Sequence, residues 1–164
     1  MPELSPGELI SLLSVLVALV AVIVGPAVTW QIAKRQIQAS VVSANRQNWI
    51  NDFRDSVADF MTSAKVAMVE GSLAAYSSTE HVANAEAHNE AMRSMVALRN
   101  KTALLINPNE EDHTDLLSMM NDMIQHCARG DSTDIDRHDE LSDSIAKVSQ
   151  QVLKREWERV KSGE

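Results

Sequence analysis

The sequence predicts an all-α protein: one N-terminal transmembrane helix continuing into a stalk and a four-helix cytosolic bundle. Three observations carry this expectation. Aromatic residues make up only 4% of the chain and glycines number five, which is poor material for sheets. The twenty residues from Leu9 to Val28 carry no charge. Beyond them, apolar residues recur at helical spacing almost to the C-terminus. The expected segments are a short extracytoplasmic N-terminus at 1–8, the transmembrane helix at 9–33, a helical stalk at 34–48 and the cytosolic bundle at 49–164.

At about 1.5 Å per residue, twenty helical residues cover roughly 30 Å, the thickness of a bilayer core. A cleaved signal peptide has a basic start and a shorter apolar run. Here Glu3 and Glu8 precede a longer run, so an uncleaved anchor is expected. Lys34 and Arg35 follow the span, whereas no Lys or Arg precedes it. The positive-inside rule therefore places the body in the cytoplasm and the N-terminus outside. Trp30, Lys34 and Arg35 are the expected membrane-interface anchors. Pro26 removes one backbone donor and is a candidate kink.

The span has an internal order. Its small residues are Gly7, Ser11, Ser14, Ala18, Ala21 and Gly25, at spacings of 4, 3, 4, 3 and 4. Every other position from Leu9 to Val24 is Leu, Ile or Val. Lipid gives helices little hydrophobic drive to associate, so close packing depends on small residues. A seam repeating every seven residues suits a left-handed crossing. These six residues are the expected oligomerisation or pore-lining face. With helix axes about 9 Å apart, three or four helices pack shut, whereas seven or eight enclose a hole. Glu8 would then ring the outer mouth.

The body is expected to begin with Trp49, Phe53, Val57, Phe60, Ala64 and Ala67 on one stripe, flanked by Ile50, Met61 and Met68. No Pro or Gly interrupts residues 27–70, so anchor, stalk and first body helix form one long helix. Gly71 and the run at 76–79 predict the first turn. A second helix is expected at about 80–106, carrying Val82, Ala85, Met92, Met95, Val96, Leu98 and a terminal ALLI cluster at 103–106. Asn107 is the predicted N-cap of a third helix at about 109–128, with Pro108 entering it and Glu110 completing a capping-box arrangement. Its inward residues are Leu116, Leu117, Met120, Met123, Ile124 and Cys127. A loop at 129–134 leads to a fourth helix at about 135–161, with Leu141, Ile145, Val148, Val152, Trp157 and Val160 inward. Short connections imply antiparallel neighbours.

Chemical motifs are sparse. Glu110 and His113 have the i, i+3 spacing of a bundle iron ligand pair, but no second Glu-x-x-His completes the set. Capping and the helix dipole account for these acids more simply. The acidic run at 131–140 lacks the alternating ligands and central Gly of a calcium loop. His81 and His88 lie two turns apart, about 10 Å, too far for one metal. Cys127 is the single cysteine and cannot form an internal disulfide. Seven body methionines are expected to fill the core, with some available to an adaptable partner surface. A formal net charge of −8 argues against nucleic acid as a partner. No cofactor, metal or catalytic residue is expected.

The segments RQNWINDFRDSVADF (46–60) and LLINPNEEDHTDL (104–116) resemble a group of largely uncharacterised bacterial and phage proteins. Those have an N-terminal anchor, a polar stalk and a helical cytosolic domain. The layout is also similar to the accessory membrane-pore proteins of type VI CRISPR systems, with their nuclease-like (HEPN) helical fold. The nuclease motif is Arg-polar-x-x-x-His. Residues 121–126 depart from it with Asn121 in place of Arg, and residues 99–104 with Leu104 in place of His. The resemblance implies a bacterial inner-membrane location and a pore, without the nuclease.

The expected function is a homo-oligomeric, non-enzymatic membrane protein acting as a pore or membrane-perturbing effector. Resemblance alone adds phage defence or phage–host conflict. The alternative is a tethered adaptor that presents a helical module to a cytosolic protein partner. Membrane lipid and further copies of the chain are the expected partners in either case. The sequence assigns no role to His113, His126 or Cys127.

Overall fold

The computed structural model describes residues 5–76, 81–129 and 134–162. The side chains of Arg35, Gln38, Ala39, Tyr76 and His81 fall outside that description. All regular structure among the described residues is helical: α1 (Pro6–Tyr76), α2 (His81–Leu105), α3 (Glu111–Ala128) and α4 (Ile135–Ser162). The chain divides into two compact units, Met1–Ala44 and Asn45–Glu164, and α1 contributes to both.

The first unit is a helix without a core of its own. Every residue from Ser5 to Ile32 is exposed, including the large aliphatics. Among the described residues, the helix long and apolar enough to cross a membrane is Pro6–Lys34. It is consistent with a single span. Its start is fixed locally. The Ser5 N–H and Oγ both donate to the Glu8 carboxylate, at 2.8 and 2.9 Å, with Pro6 in the first helical position. This is one half of a capping box, with the Ser5 hydroxyl turned to the carboxylate and the Glu8 N–H bonded to the Ser5 carbonyl. It occupies the Glu8 carboxylate that the sequence placed at a pore mouth.

The second unit draws one apolar core from all four helices. Phe53 and Phe60 of α1, Met95 of α2, Leu116, Met120 and Met123 of α3, and Ile145 and Val152 of α4 are fully enclosed in it. Polar contacts give the register. Trp49 Nε1 donates to the Leu105 carbonyl at 2.5 Å, Ser63 Oγ to Ser94 Oγ at 3.0 Å, and His88 Nδ1 lies 2.8 Å from the Ala67 carbonyl. As α1 advances α2 recedes, so the two run antiparallel. Arg155 meets Asp112, and the His126 ring lies beside the His138 ring. That makes α3 and α4 antiparallel as well.

Several expected boundaries shift. Gly71 does not end the first helix, which continues to Tyr76. A Cβ at Gly71 would stand 3.0 Å from His88 Nδ1, so the glycine seats the imidazole of α2 against α1. The remainder of the predicted turn, 77–79, lies outside the described residues, as do 130–133 of the second loop. Asn107 does not cap α3. Its Oδ1 accepts the Asn109 N–H at 3.1 Å, and the helix starts later, at Glu111. Glu110 takes the cap position without a side-chain cap bond, because its carboxylate is held by Arg155.

Four apolar residues also fall outside their expected places. On α2, Val82 is 78% exposed, Leu104 is 89% exposed and Val96 is exposed. Trp157 is 49% exposed, with Lys161 Nζ 3.5 Å from the centroid of its ring. The buried stripe of α4 is His138, Leu141, Ile145, Ser149, Val152 and Glu156, which passes one residue before Trp157.

Candidate functional site

The seam residues share one face of the span. At 3.6 residues per turn, Gly7, Ser11, Ser14, Ala18, Ala21 and Gly25 fall within an arc of about 80°. All six are exposed, and nothing lies within 4 Å of a Cβ built on Gly7 or Gly25. Two hydroxyls on this face, those of Ser14 and Thr29, are satisfied within the helix. Ser14 Oγ donates to the Ile10 carbonyl at 2.8 Å and Thr29 Oγ1 to the Gly25 carbonyl at 2.9 Å. A hydroxyl bonded to its own preceding turn enters hydrocarbon at little cost. Of the interface anchors, Trp30 is exposed and Lys34 Nζ lies 5.6 Å from its ring centroid. The Arg35 side chain is outside the described residues.

A second constellation, which the sequence did not foretell, lies in the body. Arg155 of α4 reaches the start of α3. Its Nη1 donates to Asp112 Oδ2 at 2.6 Å and its Nη2 to Glu110, and Nη2 also lies 3.3 Å from His113 Nε2. His113 Nδ1 accepts the Asn107 N–H at 3.0 Å and lies 3.1 Å from the Asn107 carbonyl. Glu156, buried although charged, meets Arg159 at 2.5 Å and Arg46 at 3.7 Å. This ion-pair network joins the beginning of the body's first helix to the end of its last.

Ligand atoms of Glu110, Asp112 and His113 lie within 4.8 Å of one another, so the suspected metal pair does converge and gains a third member. The Arg155 guanidinium stands among them and already supplies the counter-charge. The cluster thus works as a clamp, not a cap. Burial alone would raise the Asp112 carboxyl. The hydrogen bond and charge of Arg155, aided by His113, outweigh it and hold the carboxyl below its usual value.

A carboxyl depressed in the folded state contributes stability that is complete above the unfolded pKa, about 3.9, and is lost as pH falls through the folded value. Asp112→Asn is therefore expected to flatten the acid limb of the melting-temperature profile below about pH 4. The check is a set of thermal melts of both proteins across that range. Parallel limbs would show that Asp112 carries none of the acid sensitivity.

The remaining candidates have structural roles. His88 is bonded to backbone; the side chain of His81 lies outside the described residues. Asp134 Oδ1 accepts the Arg137 N–H at 3.0 Å and caps α4. Cys127 is buried against the Ala64 carbonyl, and burial pushes its thiol up to about 11, so it is no thiolate nucleophile. Asn121 and Arg99, from the two degenerate nuclease-like motifs, bond to each other at 3.0 Å. Met68, Met95, Met120 and Met123 are buried, while Met61, Met92 and Met119 pack at the core's edge.

Sequence reasoning missed Arg155, Glu156 and His138. His138 alone left a signal, three residues before Leu141 and seven before Ile145 on the same stripe. No family model, curated protein sequence or solved structure matches this chain.

Proposed function

We propose that this chain is a non-enzymatic, single-span membrane protein that self-associates through its span and opens or perturbs the bilayer. In this reading the body is a four-helix bundle on the cytoplasmic side of a bacterial inner membrane. The observation that supports it most is the concentration of all six small residues within about 80° of one face. Large aliphatics cover the rest, as lipid contact requires. Phage defence enters only through the resemblance of residues 46–60 and 104–116.

A second reading, the tethered adaptor, draws on a different feature. Val66, Val69 and Leu73 are exposed at helical spacing on α1. An apolar stripe of that kind suits a protein partner.

The deciding measurement is the mass of the detergent-solubilised particle, paired with conductance in planar bilayers. A ring of seven or more chains with discrete conductance steps is the expected result. A small closed oligomer without conductance favours the adaptor. A monomer overturns self-association.

A further inference from the structure

Two imidazoles meet between α3 and α4. His126 and His138 have ring centroids 6.1 Å apart at an interplanar angle of 45°. His138 is 2% exposed. His126 Nε2 and His138 Nδ1 are both buried and have no hydrogen-bond partner. A neutral imidazole offers one donor and one acceptor, and leaving either unmatched in the interior is costly. Two such atoms on neighbouring rings of different helices mark a place where a third body belongs.

We infer that His126 and His138 bind a divalent transition-metal ion, of which Zn2+ is the reference case. At a Zn–N distance of about 2.0–2.1 Å, each ring centroid lies about 3.2 Å from the metal. Two ligand rings are then about 5.2 Å apart at the tetrahedral angle and about 6.4 Å apart when opposed. The observed separation falls between these limits.

Access is from the His126 side. His126, but not His138, lines a cavity of about 270 Å³ together with Asp122, Gln125, Arg129, Asp134 and Arg137. Asp122 stands one turn before His126 on α3 and brings a carboxylate to the same cavity. Water completes the coordination shell.

The surrounding charge selects the class of ion. Asp122 and Asp134 are offset by Arg129 and Arg137, and Lys65 of α1 faces His138. Such a site offers no net negative field to Ca2+ or Mg2+. Nitrogen donors suit Zn2+, Cu2+ or Ni2+, whose bonds to imidazole are strong without one. Burial, with Lys65 and His126 adding to it and Asp139 opposing, also holds the His138 pKa below its usual value.

The test is calorimetric titration of Zn2+ into the full-length protein in detergent. One Zn2+ per chain is expected. Outer-shell changes alone weaken metal sites about 10–100-fold, so His126→Ala and His138→Gln should each weaken binding at least that much. His113→Gln should leave it unchanged. Absence of binding by the wild-type protein, or its survival in either ligand variant, overturns the site.

Zinc K-edge absorption of the wild-type complex removes dependence on variants that fail to fold. Two imidazoles in the first shell support the assignment. Sulfur at about 2.3 Å would move the ion to Cys127 and overturn it.

Discussion

Phe60→Ala is expected to lower the unfolding free energy of the body by about 3–5 kcal/mol, at the lower end of that range. Phe60 is 0% exposed and shares one enclosed cluster with side chains from all four helices. Truncation removes its transfer free energy and leaves a cavity that four helices would have to collapse to fill. Met95, Met120 and Met123 belong to the same cluster, and their flexible thioethers can lean into the space. That relaxation sets the lower end. Urea denaturation followed by helical circular dichroism measures it, with Val66→Ala on the exposed face of α1 as the control, expected within about 0.5 kcal/mol of wild type. A loss below about 1 kcal/mol for Phe60→Ala would mean that the four helices do not depend on one shared core.

The stripe that carries Phe60 was legible because helical periodicity and burial coincide there. Phe53, Val57, Phe60, Ala64 and Ala67 were expected inside and are buried. The same rule failed for Trp157. Its bulk suggested the core, but the stripe of α4 runs through Glu156. A carboxylate can occupy an inward position when arginines come to it: Arg159 does so from three residues on along α4, and Arg46 from α1, distant in sequence. Nothing local to residue 156 announces Arg46.

Gly71 failed for a related reason. Glycine is a helix breaker by propensity, at about 1 kcal/mol relative to alanine. Here the missing side chain makes room for His88 from the next helix, and tertiary contact overrides the local preference. At Asn107 the sequence offered a correct type of chemistry in the wrong place. The side chain does bond a backbone N–H, but that of Asn109 in a turn. The ion-pair clamp and the histidine pair were illegible because each joins residues from separate helices. Their meaning depends on the antiparallel register of α3 and α4, which one-dimensional spacing does not carry. The span was the most legible element, since its order repeats along a single helix.

Ala18→Leu is expected to break up the oligomer, weakening association by at least about tenfold, or about 1.4 kcal/mol. Ala18 sits near the middle of the small-residue face and is exposed on the isolated chain. Close approach of two backbones in lipid depends on small side chains at the contact, and leucine there holds the axes apart. The substitution makes the span more apolar, so a loss of association cannot be ascribed to failed insertion. Leu16→Ala supplies the converse control. Residue 16 lies nine positions after Gly7, about 180° around the helix, and faces lipid in this arrangement. It should leave the particle mass unchanged. Light scattering of the detergent particle reads both variants, and planar-bilayer conductance should disappear with Ala18→Leu alone. An Ala18→Leu particle of wild-type mass would show that the seam is not the contact. Dissociation by both variants would mean that association depends on the aliphatic surface as a whole, leaving the heptad of small residues without a role.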